Sequence, residues 1–199
     1  MNCLLSAQSF HCEITAGGLI SQVDGDTYGG YHKISPTVGI SVCNTFVKND
    51  KWGMSLELNY RNKGSNSSRK EEESGGFQNF KIDLHYLELP VMGKYEIRKF
   101  GTNHLLKHPL FIEFGPAFSC LISGEQTVNS INQREEFTRF ELALNAGITY
   151  FFAKRWGINY RFSYTFPFTP IRKHPGGQVW LLNRGLYNNC MMLNLIFKI

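Results

Sequence analysis

The sequence lacks most of the features that mark a function class. It has no apolar run of about 18 residues, which excludes a transmembrane helix. That absence does not exclude a membrane β-barrel, whose strands are short and only half apolar. It has no CxxC pair, so zinc ribbons and thioredoxin-like redox sites have no basis. The five cysteines, Cys3, Cys12, Cys43, Cys120 and Cys190, are odd in number and spread over the whole chain. They read as buried or lipid-facing small residues rather than as a disulfide framework. The six histidines, His11, His32, His85, His104, His108 and His174, show no HExxH or other metal-ligand spacing. Charged residues are only 19% of the chain, below the usual quarter or so. The net charge of +5 is scattered, which argues against nucleic acid as a partner. No stretch makes a convincing long amphipathic helix.

What is present is alternation. The chain has 199 residues, room for one domain or at most two small ones, and aromatics make up 14% of it. Period-two patterning marks strands. Met54, Leu56, Leu58 and Tyr60 share one face, against Ser55, Glu57, Asn59 and Arg61. Phe140, Leu142, Leu144, Ala146, Ile148, Tyr150 and Phe152 form another apolar line, as do Met191, Leu193, Leu195, Phe197 and Ile199. Strands are expected at 11–22, 33–47, 52–63, 80–97, 108–122, 138–153, 156–168 and 186–199. The fourth shows a phase break near Tyr86-Leu87, expected to be a bulge or strand running beyond a membrane. Val23–His32, Gly64–Asn79, Ser123–Phe137 and Thr169–Gly185 are long polar connections. Asn49-Asp50 and Lys154-Arg155 are tight turns, and Lys99–Lys107 is intermediate. Long connections at one end and short ones at the other predict an all-β fold: an eight-stranded antiparallel up-and-down transmembrane barrel.

The apolar lines are too bulky for the lumen of such a barrel, which side chains just fill. They are therefore assigned to lipid and the polar lines to the interior. That predicts a lumenal charge network of Glu57, Arg61, Glu88, Lys94, Glu113, Arg139, Glu141 and Arg161, with Glu141 paired to Arg161 across adjacent strands. Trp52, Tyr60, Tyr95, Trp156 and Tyr187 suit interfacial girdles.

The segments GGLISQVDGDTYGGYHK (17–33), LELNYRNKGSNS (56–67), YLELPVMGKY (86–95), ELALNAGITYFF (141–152) and RWGINYRFSYTF (155–166) resemble the PorT-like outer-membrane β-barrel family of the Bacteroides group. The likeness runs over about residues 14 to 199, and the Glu-Leu-Pro strand with the Lys-Gly step is its most specific part. The resemblance implies an outer-membrane location, an eight-stranded barrel and no cofactor. It implies little about task, and the namesake's link to secretion is not carried over. Two departures stand out. Residues 1–9 read only as the remnant of a signal peptide, ahead of a barrel domain at 10–199, and the chain ends in Ile199 rather than an aromatic.

Both termini are expected in the periplasm. The expected partners are outer-membrane lipid, the barrel-assembly machinery and an unidentified surface or periplasmic protein. The leading function is a structural or interaction role through the four long loops. The alternatives are a lipid-modifying barrel enzyme, for which Ser119, Ser163 and His174 are the candidate residues without a connecting motif, and a soluble lipocalin-like carrier. No catalytic, cofactor or metal residue is assigned. Asp24-Gly25-Asp26 reads as a turn rather than a calcium loop, and Arg69–Glu73 as a solvated loop tip.

Overall fold

The computed structural model describes residues 9–26, 29–45, 51–68, 73, 79–100, 104–133, 136–173 and 185–199. Its elements are β1 (Ser9–Asp24), β2 (Lys33–Thr45), β3 (Trp52–Asn66), β4 (Lys81–Phe100), β5 (His104–Val128), β6 (Ile131–Gln133), β7 (Phe140–Phe151), β8 (Trp156–Thr165), β9 (Arg172–Lys173) and β10 (Gly185–Lys198). Setting aside the short β6 and β9, eight long strands pair antiparallel in chain order. β10 then pairs with β1 from Glu13↔Lys198 to Asp24↔Tyr187, which closes the barrel. Closure leaves no sheet edge to hydrogen-bond with lipid, as a bilayer requires.

The burial pattern sets inside against outside. Along β3 it alternates strictly: Met54, Leu56 and Leu58 point out, while Ser55, Glu57, Asn59 and Arg61 point in. The outward row is apolar and exposed around the wall, including Val38, Ile40, Leu89, Ile112, Phe114, Ile148, Ile158 and Leu195. A soluble carrier would bury that row and wet the other, so the lipocalin-like alternative is inverted relative to this chain. Trp52 and Trp156 sit outward at the short-turn end, against Tyr95 and Phe197 with ring centroids 4.8 Å apart in each case. Tyr60 lies near the opposite rim, its hydroxyl 2.7 Å from His85 Nδ1. Tyr187 departs from the girdle expectation: it is buried, stacks on Tyr164 and donates to the Pro167 carbonyl.

The expected phase break in the fourth strand is not a break in the pleat. Ile82, Leu84, Tyr86, Glu88 and Met92 all point inward in one unbroken series. What inverts is the chemistry. From Leu87 toward the short turns, apolar residues face out and charges face in. Toward the long loops, Lys81, Asp83 and His85 face out and Ile82, Leu84 and Tyr86 face in. The inversion marks where strand leaves lipid for water. At about 3.4 Å per residue and 45° tilt, a strand of 20 residues rises about 48 Å against a hydrocarbon core of about 30 Å. The surplus is the extramembrane part. A bulge does occur beside the inversion, on β5: His85 pairs with Ser123 and Tyr86 with Leu121, leaving Ile122 extra.

Strand order places the connections alternately at the two rims, and two of the described ones depart from prediction. β4 and β5 meet more closely than expected, with Phe100 paired to His104 where an intermediate link was predicted. β5 runs on to Val128, past the expected end at 122, and turns through Asn129 and Ser130, both at positive φ, into β6. The Asn49-Asp50 turn lies outside the described residues.

Candidate functional site

The lumen is the one place where this fold concentrates chemistry. Inward positions of neighbouring strands lie at matched heights, so the register decides which charges meet. Nearest the middle, Arg161 on β8 donates to both carboxylate oxygens of Glu57 on β3, at 2.6 and 2.9 Å. It also donates to Glu113 on β5 at 2.8 Å. Glu113 further accepts from Thr149 at 2.7 Å and Asn159 at 3.1 Å, and Lys94 Nζ lies 3.3 Å from it. Glu57 is completed by Ser55 and Asn59.

A second cluster sits toward the long loops. Arg61 lies 2.6 Å from Glu88, and Lys63 bridges Glu88 and Glu141. Ser119 donates to Glu88, while Thr165 and Asn188 donate to Glu141. The Lys63 ammonium also lies 5.1 Å from the centre of the Tyr86 ring. These charges are buried yet paired, the condition under which such groups are tolerated in a low-dielectric interior.

Of the eight predicted network residues, Glu57, Arg61, Glu88, Lys94, Glu113, Glu141 and Arg161 are buried and inward, and Arg139 is exposed. Arg139 precedes β7, and its carbonyl accepts from the Leu121 amide. The expected Glu141–Arg161 pair does not form. Register places Gly147, not Glu141, opposite Arg161, so Glu141 lies six residues further along β7. Two participants were missed, Lys63 and Glu13. Both share the parity of inward residues on their strands, which was the available signal.

Above the second cluster an apolar cap closes the barrel. Val23, Phe80, Ile82, Leu84, Tyr86, Val128, Ile171 and Leu186 are buried together, with Leu121 and Phe137 packed against them. Below, free space among Glu13, Glu57, Arg61, Glu113 and Arg161 amounts to about 10 Å³, roughly room for one water. A cavity of about 280 Å³ opens at the short-turn end, lined among others by His11, Glu13, Cys43, Lys94 and His108. The lumen is thus a blind recess, open toward the short turns and filled above.

Ser119 and Ser163 are buried in the lumen wall, and His174 lies outside the described residues. Asp24 accepts from Gln22 and Asn189, and Asp26 from Ser65, as a turn around Gly25 at φ 95° would have them. Cys12, Cys43, Cys120 and Cys190 are free thiols. Glu73 is the described part of the 69–73 run, and it is exposed.

The family model described as outer membrane protein beta-barrel domain matches residues 6–172. Among solved structures, Ail, the attachment invasion locus protein of Yersinia pestis, is similar over 95% of this chain and 98% of its own, with a TM-score of 0.52 at 13% identity. Neisserial surface protein A is similar over 97% and 99%, with a TM-score of 0.50 at 11% identity. At such identities the likeness shows the fold alone. No curated protein sequence matches the chain significantly.

Proposed function

The chain belongs to the outer membrane protein beta-barrel domain family, and we propose that it acts as a non-enzymatic interaction barrel whose working surface is its loops. It is a small outer-membrane barrel of eight strands embedded in the bilayer. The observation that carries the proposal is the closed lumen. Paired charges fill the middle, where the gap among Glu57, Arg61, Glu113 and Arg161 is about 10 Å³, and the apolar cap lies above them, unlike the aqueous channel that porins build with about 16 strands. A barrel that conducts nothing offers its rims, and the long connections all leave from one rim. Buried Ser119 and Ser163 are sealed from an outside lipid substrate, which weighs against the lipid-modifying alternative.

In this reading the loop rim faces the extracellular medium, and both termini and the short turns face the periplasm. The barrel-assembly machinery inserts the chain. The finer PorT-like affiliation rests on the 86–95 strand and the Lys63-Gly64 step into the second loop. Residues 10–199 are read as one barrel domain.

The test is surface cross-linking on intact cells, comparing the full chain with a variant whose 67–80 connection is replaced by a short glycine-serine turn. Partners captured by the full chain and lost from the inserted variant support loop-mediated interaction. Capture unchanged after shortening each of the four long connections in turn contradicts it.

A further inference from the structure

The open recess at the short-turn end holds three metal-ligating side chains at the edge of the charge lattice, where Lys94 approaches both Glu13 and Cys43 at 3.6 Å. Register alone brings them together. His11 on β1 is the direct cross-strand partner of Cys43 on β2. Glu13 stands two residues beyond His11 and so shares its face. His11 Nε2 lies 3.1 Å from Glu13 Oε1. The donor atoms of His11, Glu13 and Cys43 lie within 4.8 Å of one another, the one such trio of metal-ligating groups among the described residues. Glu13 and Cys43 are buried, His11 is partly open, and all three line the cavity of about 280 Å³.

We propose that His11, Glu13 and Cys43 form a binding site for a divalent transition metal of the zinc type, with its fourth coordination position open to the recess. The donor set selects the class. Thiolate, imidazole and carboxylate are each ligand types that zinc takes, and its open sites combine three protein ligands with an exchangeable water. Calcium and magnesium want oxygen ligands throughout, and a single thiolate is too few for copper(I).

The charges nearest the three ligands have partners of their own. Glu13 shares the recess with Lys94, Lys154 and Lys198, while deeper in the lumen Glu57 and Glu113 face Arg161. Arg161 is committed to Glu57 and Glu113, and Lys94 lies closer to Glu113, at 3.3 Å, than to Glu13, at 3.6 Å. Entry of the dication releases the Cys43 thiol proton to solvent. Lys94 Nζ, 3.6 Å from Cys43 Sγ, keeps its partner Glu113 while the metal takes the thiolate. Ser41, 3.8 Å from the same sulfur, is placed to hydrogen-bond it.

The ligands escape a linear search because they lie 32 positions apart in sequence, from His11 to Cys43, and only the β1–β2 register joins them. The site does not depend on what the loops do.

Cobalt(II) is the probe. The full chain, folded in detergent, is titrated with Co²⁺ and then with Zn²⁺. One equivalent of Co²⁺ should give an intense thiolate-to-cobalt charge-transfer band that Zn²⁺ removes. Cys43→Ala should abolish the band, His11→Ala should weaken binding by more than about tenfold, and Cys12→Ala, on the outer face, should leave it unchanged. A second measurement needs no variant: Zn²⁺ should protect Cys43 of the wild-type chain from maleimide, with the modified thiol mapped by mass spectrometry. No band in the wild-type chain, a band that survives Cys43→Ala, or Cys43 alkylated equally with and without Zn²⁺ would overturn the site.

Discussion

Arg161 and Glu57 meet across the barrel rather than along its wall. They sit on β8 and β3, which are not neighbours in the sheet, yet the guanidinium grips both carboxylate oxygens at 2.6 and 2.9 Å. The pair is a strut spanning the lumen, and the third bond, to Glu113, ties in β5. Such planar, bidentate contacts are the strong class of charged hydrogen bond.

Cutting one end of the strut leaves the other charge buried and unpaired. Arg161→Met is expected to destabilise the barrel by about 3–5 kcal/mol. Adding Glu57→Leu should restore part of that loss, whereas adding Glu141→Leu should not. Urea unfolding of the three variants, followed by the heat-dependent shift of the folded band on gels, checks it. Equal rescue by the two second substitutions would mean the strut is drawn to the wrong carboxylate.

The fold was legible because alternation is a property of each strand by itself. Outward and inward rows on β3, β7 and β8 follow from period two alone. The pairing of charges was not legible, because it depends on how strands slide past one another. Glu141 and Arg161 sit on adjacent strands, but the β7–β8 register sets Gly147 opposite Arg161. Arg139 was misplaced for a related reason: its parity is correct, but it lies just outside the strand, where parity no longer directs a side chain. Lys63 stands at the last position of the expected third strand, and β3 continues through Asn66 and carries it inward.

The lipid boundary can be probed from outside. Leu144, outward on β7, should not tolerate arginine: Leu144→Arg is expected to cost about 2–4 kcal/mol near the bilayer midplane and to block assembly. His85→Arg, outward but beyond the chemical inversion, should assemble normally. Protease protection in outer-membrane fractions reads both. Assembly of Leu144→Arg at the wild-type level would remove the outward assignment.

The apolar cap contributes stability separately from the charges. Ile82 and Leu84 are fully buried in it, and either one changed to alanine should cost about 2–5 kcal/mol. Neither change should prevent membrane insertion, because the cap lies above the hydrocarbon core. Unfolding midpoints in urea, with insertion scored by flotation, give the two readouts. A failure of insertion with an unchanged midpoint would place these residues in the membrane instead.

Orientation follows from the placement of the long connections at one rim. A tag after Ser67 should be labelled on intact cells, and a tag after Asp50 should be labelled only after the outer membrane is permeabilised. The reverse pattern would put the loops in the periplasm and move the proposed interaction surface with them.

The central claim is that the lumen is closed, so it is tested most directly by conductance. Purified protein reconstituted in a planar lipid bilayer is predicted to give no resolved current steps, while a control porin in the same membrane does. The Ile82→Ala chain should stay equally silent, since the Arg161–Glu57 and Lys63–Glu88 contacts still fill the interior beneath the cap. Discrete, reproducible channel openings from the wild-type chain would contradict the account.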